Sequence, residues 1–252
     1  MAAMHRFFVT PTAIHGEAVT LPAETAHHLR EVLRLGPGAE IMVLDGSGRE
    51  YRVSITHQSR SGVEGRILSQ TPALGEPRTQ ITLYQATLKG EKFEWLLQKG
   101  TEIGISRFVP LLTQRCVTHD RASLSKKESR WRRIIQEAAE QARRGRLPAL
   151  AAPLDLVDAC QEAARQADLI LFLWESAPGH GLKPALQAWR SSATASGRIS
   201  LFVGPEGGFS EGEAALAAAS GACLIGLGPR ILRAETAGLA AGAAILYEMG
   251  DM

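Results

Sequence analysis

The chain has 252 residues, 45% hydrophobic and 21% charged, which reads as a soluble globular protein with enough length for one large domain or two smaller ones. A formal net charge of +2 excludes strong bulk attraction to nucleic acid, so any polyanion contact has to come from a local patch. The three cysteines, Cys116, Cys160 and Cys223, form no C-x-x-C pair, which removes a zinc ribbon or thioredoxin-type site and fits a reducing, cytoplasmic setting.

Met1 to Val9 lacks the long apolar stretch of a signal peptide, and no run approaches the roughly twenty apolar residues of a membrane span. His5 to Thr10 predicts a short strand and Ala26 to Leu35 a brief helix. His27 and His28 are adjacent and do not converge as metal ligands; surface or structural hydrogen bonding suits them, and no metal is expected. Gly36-Pro37-Gly38 predicts a turn and Ile41 to Leu44 a strand, followed by the hairpin signal Asp45-Gly46-Ser47-Gly48. Tyr51, Val53 and Ile55 alternate with polar residues, the period of a half-buried strand. Val63 to Leu68 adds another, and short strands at this spacing suggest a small barrel. Thr71 to Pro77, rich in Pro and Gly, reads as a linker.

The rhythm then changes. Ile81 to Ala86 predicts a strand, Phe93 to Ile103 a helix and Phe108 to Leu112 a strand. Trp131, Ile134, Ile135, Ala138 and Ala142 fall on one helical face. Eleven Arg and Lys residues crowd the stretch from Arg107 to Arg146; a polyanion-binding surface and a solvated helix face both fit. Leu169 to Trp174, Ile199 to Val203 and Cys223 to Leu227 are apolar without alternation, as in strands covered on both faces. Helical segments lie between them, which argues for α/β architecture with a mostly parallel sheet. Ser210 and Glu213 have the spacing of a capping box. The last helix, about Ala234 to Tyr247, is rich in Ala and Gly; Gly238 and Gly242 share a face that allows close approach, for core packing or a dimer contact.

Two Gly-rich turns carry most of the functional information: Leu201 to Ser210, containing Gly204-Pro205-Glu206-Gly207-Gly208, and Leu227 to Ala237, containing Gly228-Pro229-Arg230-Ile231-Leu232-Arg233. Each leaves an apolar run and enters a helical stretch. Turns without side-chain bulk let backbone groups touch a small ligand, and in open parallel sheets ligands bind beyond the carboxyl ends of the strands. Trp174 ends the preceding strand and borders the same crevice, while Val203, Leu227 and Leu232 supply apolar lining. This suits a purine with an uncharged or zwitterionic tail. A triphosphate fits poorly, because neither loop holds a lysine, and no P-loop or G-x-G-x-x-G signature follows the first strand of the α/β half. Arg230, Arg233 and Glu235 put charge beside the pocket, either to act on a substrate or to hold the loop as an Arg–Glu pair.

These motifs resemble the bacterial 16S rRNA N3-uridine methyltransferases of the RsmE type, within the trefoil-knotted SPOUT superfamily. Further matches are Lys89-Gly-Glu-Lys92, Lys99 to Gly104, Glu137 to Arg143, His5 to Val9 and His27 to Arg34, so the resemblance spans nearly the whole chain. It implies a PUA-like RNA-binding β-barrel over 1–71, a linker over 72–78 and a SPOUT methyltransferase domain over 79–252. It also implies a threaded chain, against the usual rule, S-adenosylmethionine as cofactor, a homodimer, and one uridine of small-subunit rRNA as substrate. On this resemblance Leu173, Trp174, Val203, Gly204, Pro205, Glu206, Gly207, Gly208, Leu227, Gly228, Leu232, Arg233 and Thr236 hold the cofactor. Arg233 stabilises the developing anion, and Glu235 acts as base or orienting partner. Arg6, Arg30, Arg34, Lys89, Arg143 and Arg144 contact RNA. The competing expectations are a non-catalytic rRNA-binding assembly factor and a SPOUT enzyme acting on tRNA or a ribose 2′-hydroxyl.

Overall fold

The computed structural model describes residues 4–117, 119–177, 181–192 and 197–252, which fall into two compact units. One unit comprises the chain up to Glu76 together with Ala139–Leu147; the other comprises Pro77–Ala138 and Pro148–Met252.

The first unit is built on a six-stranded sheet of β1 (Arg6–Phe8), β2 (Ile14–His15), β3 (Ala18–Pro22), β4 (Glu40–Leu44), β5 (Arg49–Gln58) and β6 (Gly62–Pro72), in the order β1-β4-β5-β6-β3-β2. Only β1 and β4 pair in parallel. Tyr51, Val53 and Ile55 are buried with Phe7, Val19, Leu21, Ile41, Val43 and Val63, so strands across the width of the sheet share one core and the sheet curls around it. The β4–β5 turn is set by Asp45, whose carboxylate accepts from the Ser47 N–H (2.9 Å), the Ser47 hydroxyl (2.6 Å) and the Tyr51 hydroxyl (3.0 Å). β3 is an addition to the sequence reading: only Val19 and Leu21 alternate inward there, too few positions to reveal a period. The expected helix at 26–35 begins earlier, as α1 (Ala23–His27), because Pro22 sits in extended backbone and suits the start of a helix. It continues as a π turn over His28–Val32 and ends where Arg34 adopts φ 54°.

Residues 139–147 belong to this unit through specific bonds. The Phe8 N–H donates to Glu140 Oε1 at 3.0 Å. Glu76 accepts a bidentate Arg144 guanidinium (2.9 and 3.0 Å) and the N–H groups of Gly145 and Arg146 (2.8 and 3.0 Å).

The second unit is a parallel sheet: β7 (Gln80–Ala86), β8 (Arg107–Leu112), β9 (Ala149–Leu150), β10 (Leu154–Asp155), β11 (Leu169–Leu173), β12 (Arg198–Val203) and β13 (Cys223–Ile225). The order is β10-β8-β7-β12-β11-β13, with β9 also on β8. Its helices are α2 (Lys92–Ile103), α3 (Arg121–Ser125), α4 (Glu128–Gln141, its residues from Ala139 on counted with the first unit), α5 (Leu156–Gln166), α6 (Leu182–Ser192), α7 (Glu211–Ala219) and α8 (Ala234–Met249). Leu169 and Leu171 of β11 enter one core, with side chains of α2, α4, α6 and α8, while Ile170 and Phe172 enter the other, with α5 and α7. Burial on both faces explains why these strands read as unbroken apolar runs.

On the second face Tyr84 stacks on Phe202 with centroids 4.3 Å apart, and its hydroxyl donates to Glu162 at 2.7 Å. Arg107 donates twice to the same carboxylate, at 2.7 and 3.2 Å. On the first face α8 comes close to the sheet through its glycines. A Cβ on Gly238 would meet Gln85 Oε1 at 3.2 Å, and one on Gly242 would meet Ile105 Cδ1 at 3.0 Å. The Gly238/Gly242 face is therefore core packing. No described helix is long and apolar enough to cross a membrane.

Candidate functional site

A cavity of about 580 Å³ opens at the carboxyl ends of β11, β12 and β13, beside the first turn of α2. Both Gly-rich turns line it. From the end of β11 and the residues after it come Leu173, Trp174 and Glu175; from the first turn Val203, Gly204, Pro205, Glu206, Gly208 and Phe209; from the second Ile225 through Ala234, with Ala237 and, from α2, Lys92. Of the residues expected to hold a cofactor, Gly207 and Thr236 are outside this lining. A Cβ on Gly207 would meet the Arg115 side chain at 3.4 Å, so a substituent there grows against Arg115 and not into the cavity. Thr236 is exposed on the first turn of α8. Glu175, which no motif marks, also lines the cavity, as do Phe209 and Ile231, which lie in the two turns singled out from the sequence but outside the expected cofactor-holding set.

The first turn is held at every step. The Gly204 carbonyl accepts from buried Gln85 Nε2 at 3.3 Å, and the Gly208 N–H closes onto the Pro205 carbonyl at 2.9 Å with Gly208 at φ 65°. Arg115 Nη1 donates to the Gly207 carbonyl at 2.7 Å. Glu206 accepts from the Lys89 N–H (3.2 Å) and pairs with Lys92 Nζ (3.4 Å). Burial pushes the Glu206 carboxyl up, but the N–H groups of Glu206 itself and Lys89, with the Lys92 ammonium, outweigh it and hold the group below the ordinary carboxylate range. Gly208-Phe209-Ser210-Glu211-Gly212 has the spacing of a nucleophile elbow. Ser210 is instead the N-cap of α7, its Oγ accepting from the Glu213 N–H in a complete capping box.

The second turn is held at its ends. The Trp174 N–H donates to the Ile225 carbonyl at 3.0 Å, Gly226 bridges Gly181, and the Thr236 and Ala237 N–H groups donate to the Arg233 carbonyl at 2.9 Å to begin α8. Between these points Ile231 is 89% exposed. Arg233 is exposed and lines the cavity. Among the described residues no ion pair joins Arg233 to Glu235; Glu235 pairs with Lys92 Nζ at 3.5 Å, which replaces the expected loop-holding Arg–Glu pair.

The chemistry of the wall fits an adenosyl group with a sulfonium-bearing tail. Val203, Ile225, Leu227 and Leu232 with Trp174 offer an apolar slot. A Cβ on Gly208, Gly226 or Gly228 meets nothing within 4 Å, so these glycines leave open space along the backbone for a ligand edge. Among the described residues no three His, Cys, Asp or Glu side chains are grouped to hold a metal.

The expected RNA-contacting residues divide. Arg34, Arg143 and Lys89 are exposed; Arg30 is partly exposed and pairs with Glu31 at 2.7 Å. The Arg144 side chain is 3% exposed and bound to Glu76, so the expectation that it holds phosphate is corrected to a structural role. Arg6 is similarly withdrawn, 10% exposed and paired with Glu50 at 2.8 Å. In the basic stretch, Arg107, Arg121, Arg130, Arg132 and Arg133 all pair with carboxylates, which favours the solvated, ion-paired reading for those positions.

Comparison with known proteins agrees with this geometry. A family model described as an RNA methyltransferase domain matches residues 75–246, and one described as an RNA methyltransferase PUA domain matches residues 21–68. Ribosomal RNA small subunit methyltransferase E of Synechocystis is 36% identical, over 92% of this chain and 74% of its own length. The protein of the same name from Bacillus subtilis is 32% identical over 97% of both. The crystal structure of ribosomal RNA small subunit methyltransferase E from Neisseria gonorrhoeae bound to S-adenosyl methionine superposes with a TM-score of 0.84, at 29% identity, covering 98% of each chain.

Proposed function

The chain belongs to the family of ribosomal RNA small subunit methyltransferase E, and we propose that it transfers a methyl group from S-adenosylmethionine to N3 of one uridine in 16S rRNA. The observation that carries this reading is the meeting of both Gly-rich turns in one cavity at the strand ends. When bound there, the cofactor supplies an electrophilic methyl on a sulfonium. The chain's own residues do the rest. Trp174, Val203, Leu227 and Leu232 pack against the ligand and exclude water, and the cavity-lining backbone of Gly204, Pro205, Glu206, Gly208 and Gly228 reads its polar edges.

Uridine N3 is a weakly acidic imide, so transfer requires loss of its proton to be favoured. The exposed Arg233 guanidinium at the cavity wall stabilises the resulting anion. Glu235, engaged with Lys92, serves as an orienting partner for that wall. N3 lies on the Watson–Crick edge, so the base enters unpaired or flipped. Arg30, Arg34, Lys89 and Arg143 hold surrounding phosphates; the unit comprising the chain up to Glu76 with Ala139–Leu147 serves as the RNA-binding domain and the other unit as the catalytic one, in place of the division at 1–71, 72–78 and 79–252 expected from the sequence. The enzyme works in the cytoplasm as a homodimer.

Mass mapping of modified nucleosides tests the reading. Small subunits from a deletion strain, incubated with the protein and S-adenosylmethionine, gain one N3-methyluridine. A methyl on a ribose hydroxyl or on tRNA, or no methyl at all, rejects it. Arg233→Ala is expected to keep the melting temperature and lower kcat about a hundredfold; normal turnover at saturating cofactor and RNA removes its role.

A further inference from the structure

We propose that Lys92 is a positioning residue that sets the spacing of the two Gly-rich turns and so controls cofactor affinity; the inference rests on the cavity being the S-adenosylmethionine site. Lys92 is in the first turn of α2, where the helix dipole disfavours a cation, so helix formation gives no reason for a lysine there. Its ammonium lies 3.4 Å from Glu206 Oε1 and 3.5 Å from Glu235 Oε1. Glu206 lines the cavity on the first turn, and Glu235 starts α8 beside the lining residues Arg233 and Ala234 of the second, so this one side chain ties by charge the first wall to the helix start that carries the second.

Glu235 needs that charge most. Its side chain is 12% exposed, and its other oxygen, Oε2, is buried without a hydrogen-bond partner. Without Lys92, a nearly buried carboxylate loses its counter-charge and faces a second carboxylate. The two turns then separate to let water reach Glu235. Lys92 itself lines the cavity, so the separation opens the cavity wall.

Calorimetric titration of the full-length protein with S-adenosylmethionine tests this, with Lys92→Met, Lys92→Arg and the double variant Lys92→Met/Glu235→Gln beside wild type. Lys92→Met weakens binding about tenfold, and Lys92→Arg stays within about threefold of wild type. The double variant regains most of the lost affinity, although it restores no contact, because the buried charge is gone. Wild-type affinity in Lys92→Met overturns the proposal, as does a double variant no better than Lys92→Met. If Lys92→Met does not fold, the double variant decides alone: affinity within about threefold of wild type supports the role, and lost binding overturns it. A wild-type protein that does not bind the cofactor sinks the cofactor reading and this proposal with it.

Discussion

The two Gly-rich turns have similar composition and face the same cavity, yet they are held very differently. The first is fastened from three sides, by Gln85 beneath it, Arg115 behind it and Lys89 with Lys92 in front. The second is anchored where it leaves β13 and where it enters α8, and in between it carries an 89% exposed isoleucine. One wall is bonded along its length and the other at its ends, so less of the ordering cost of binding falls on the first than on the second.

Substitutions sharpen that contrast. The largest effect is expected at Gly204, where a Cβ would already lie 3.1 Å from the Phe209 ring and 3.2 Å from the Gly208 backbone carbon. Gly204→Val should displace the fastened turn and lower S-adenosylmethionine affinity more than about a hundredfold by calorimetry. A smaller change would show the turn to be adjustable after all.

A site away from both turns gives the baseline of the sheet. Hydrogen bonds from Arg107 hold the Glu162 carboxyl below its ordinary range, against the opposing effect of burial and with help from the Tyr84 hydroxyl. Because the folded-state value is lowered, the stabilisation is complete above the unfolded value and is lost as pH falls through the folded one. Glu162→Gln should cost about 2 kcal/mol at pH 7 in denaturant unfolding, with the difference from wild type shrinking on acidification below about pH 4. Cofactor affinity at pH 7 should be unchanged; a parallel loss would mean that the sheet and the turns are not separable.

Arg115→Ala removes the guanidinium from the Gly207 carbonyl. It should weaken cofactor binding about fivefold with little change in melting. Ile231→Ser is the smallest: stability within about 0.5 kcal/mol and affinity within about twofold. If Ile231→Ser proves costlier than Arg115→Ala, the assignment of fixed and adjustable walls is reversed.

Much of this was legible because local pattern and tertiary role coincide. The apolar runs at Leu169 and Ile199 announce strands covered on both faces, and the glycines after Val203 and Ile225 announce backbone exposed to a ligand; the run at Cys223 forms a strand too, but at the sheet edge, where Cys223 is exposed. Ser210 and Glu213 give the start of α7 from spacing alone. What was not legible depends on partners distant in sequence. Nothing local marks Arg144 as buried, since its partner Glu76 is 68 residues away. Nothing local separates Gly207, which backs onto Arg115 from another loop, from Gly208, which faces the cavity. Lys92 appears in a recognisable motif, but its significance depends on carboxylates more than a hundred residues downstream.

The membership of Ala139–Leu147 in the N-terminal unit bears on how this protein can be dissected. A truncation ending at Glu76 would strip that carboxylate of the Arg144 guanidinium and of the Gly145 and Arg146 amides, and would leave the Phe8 amide without its acceptor. The N-terminal unit is therefore not a portable module that one cut releases. Any chimera that transplants it has to carry the 139–147 clasp along, from the far side of more than sixty intervening residues.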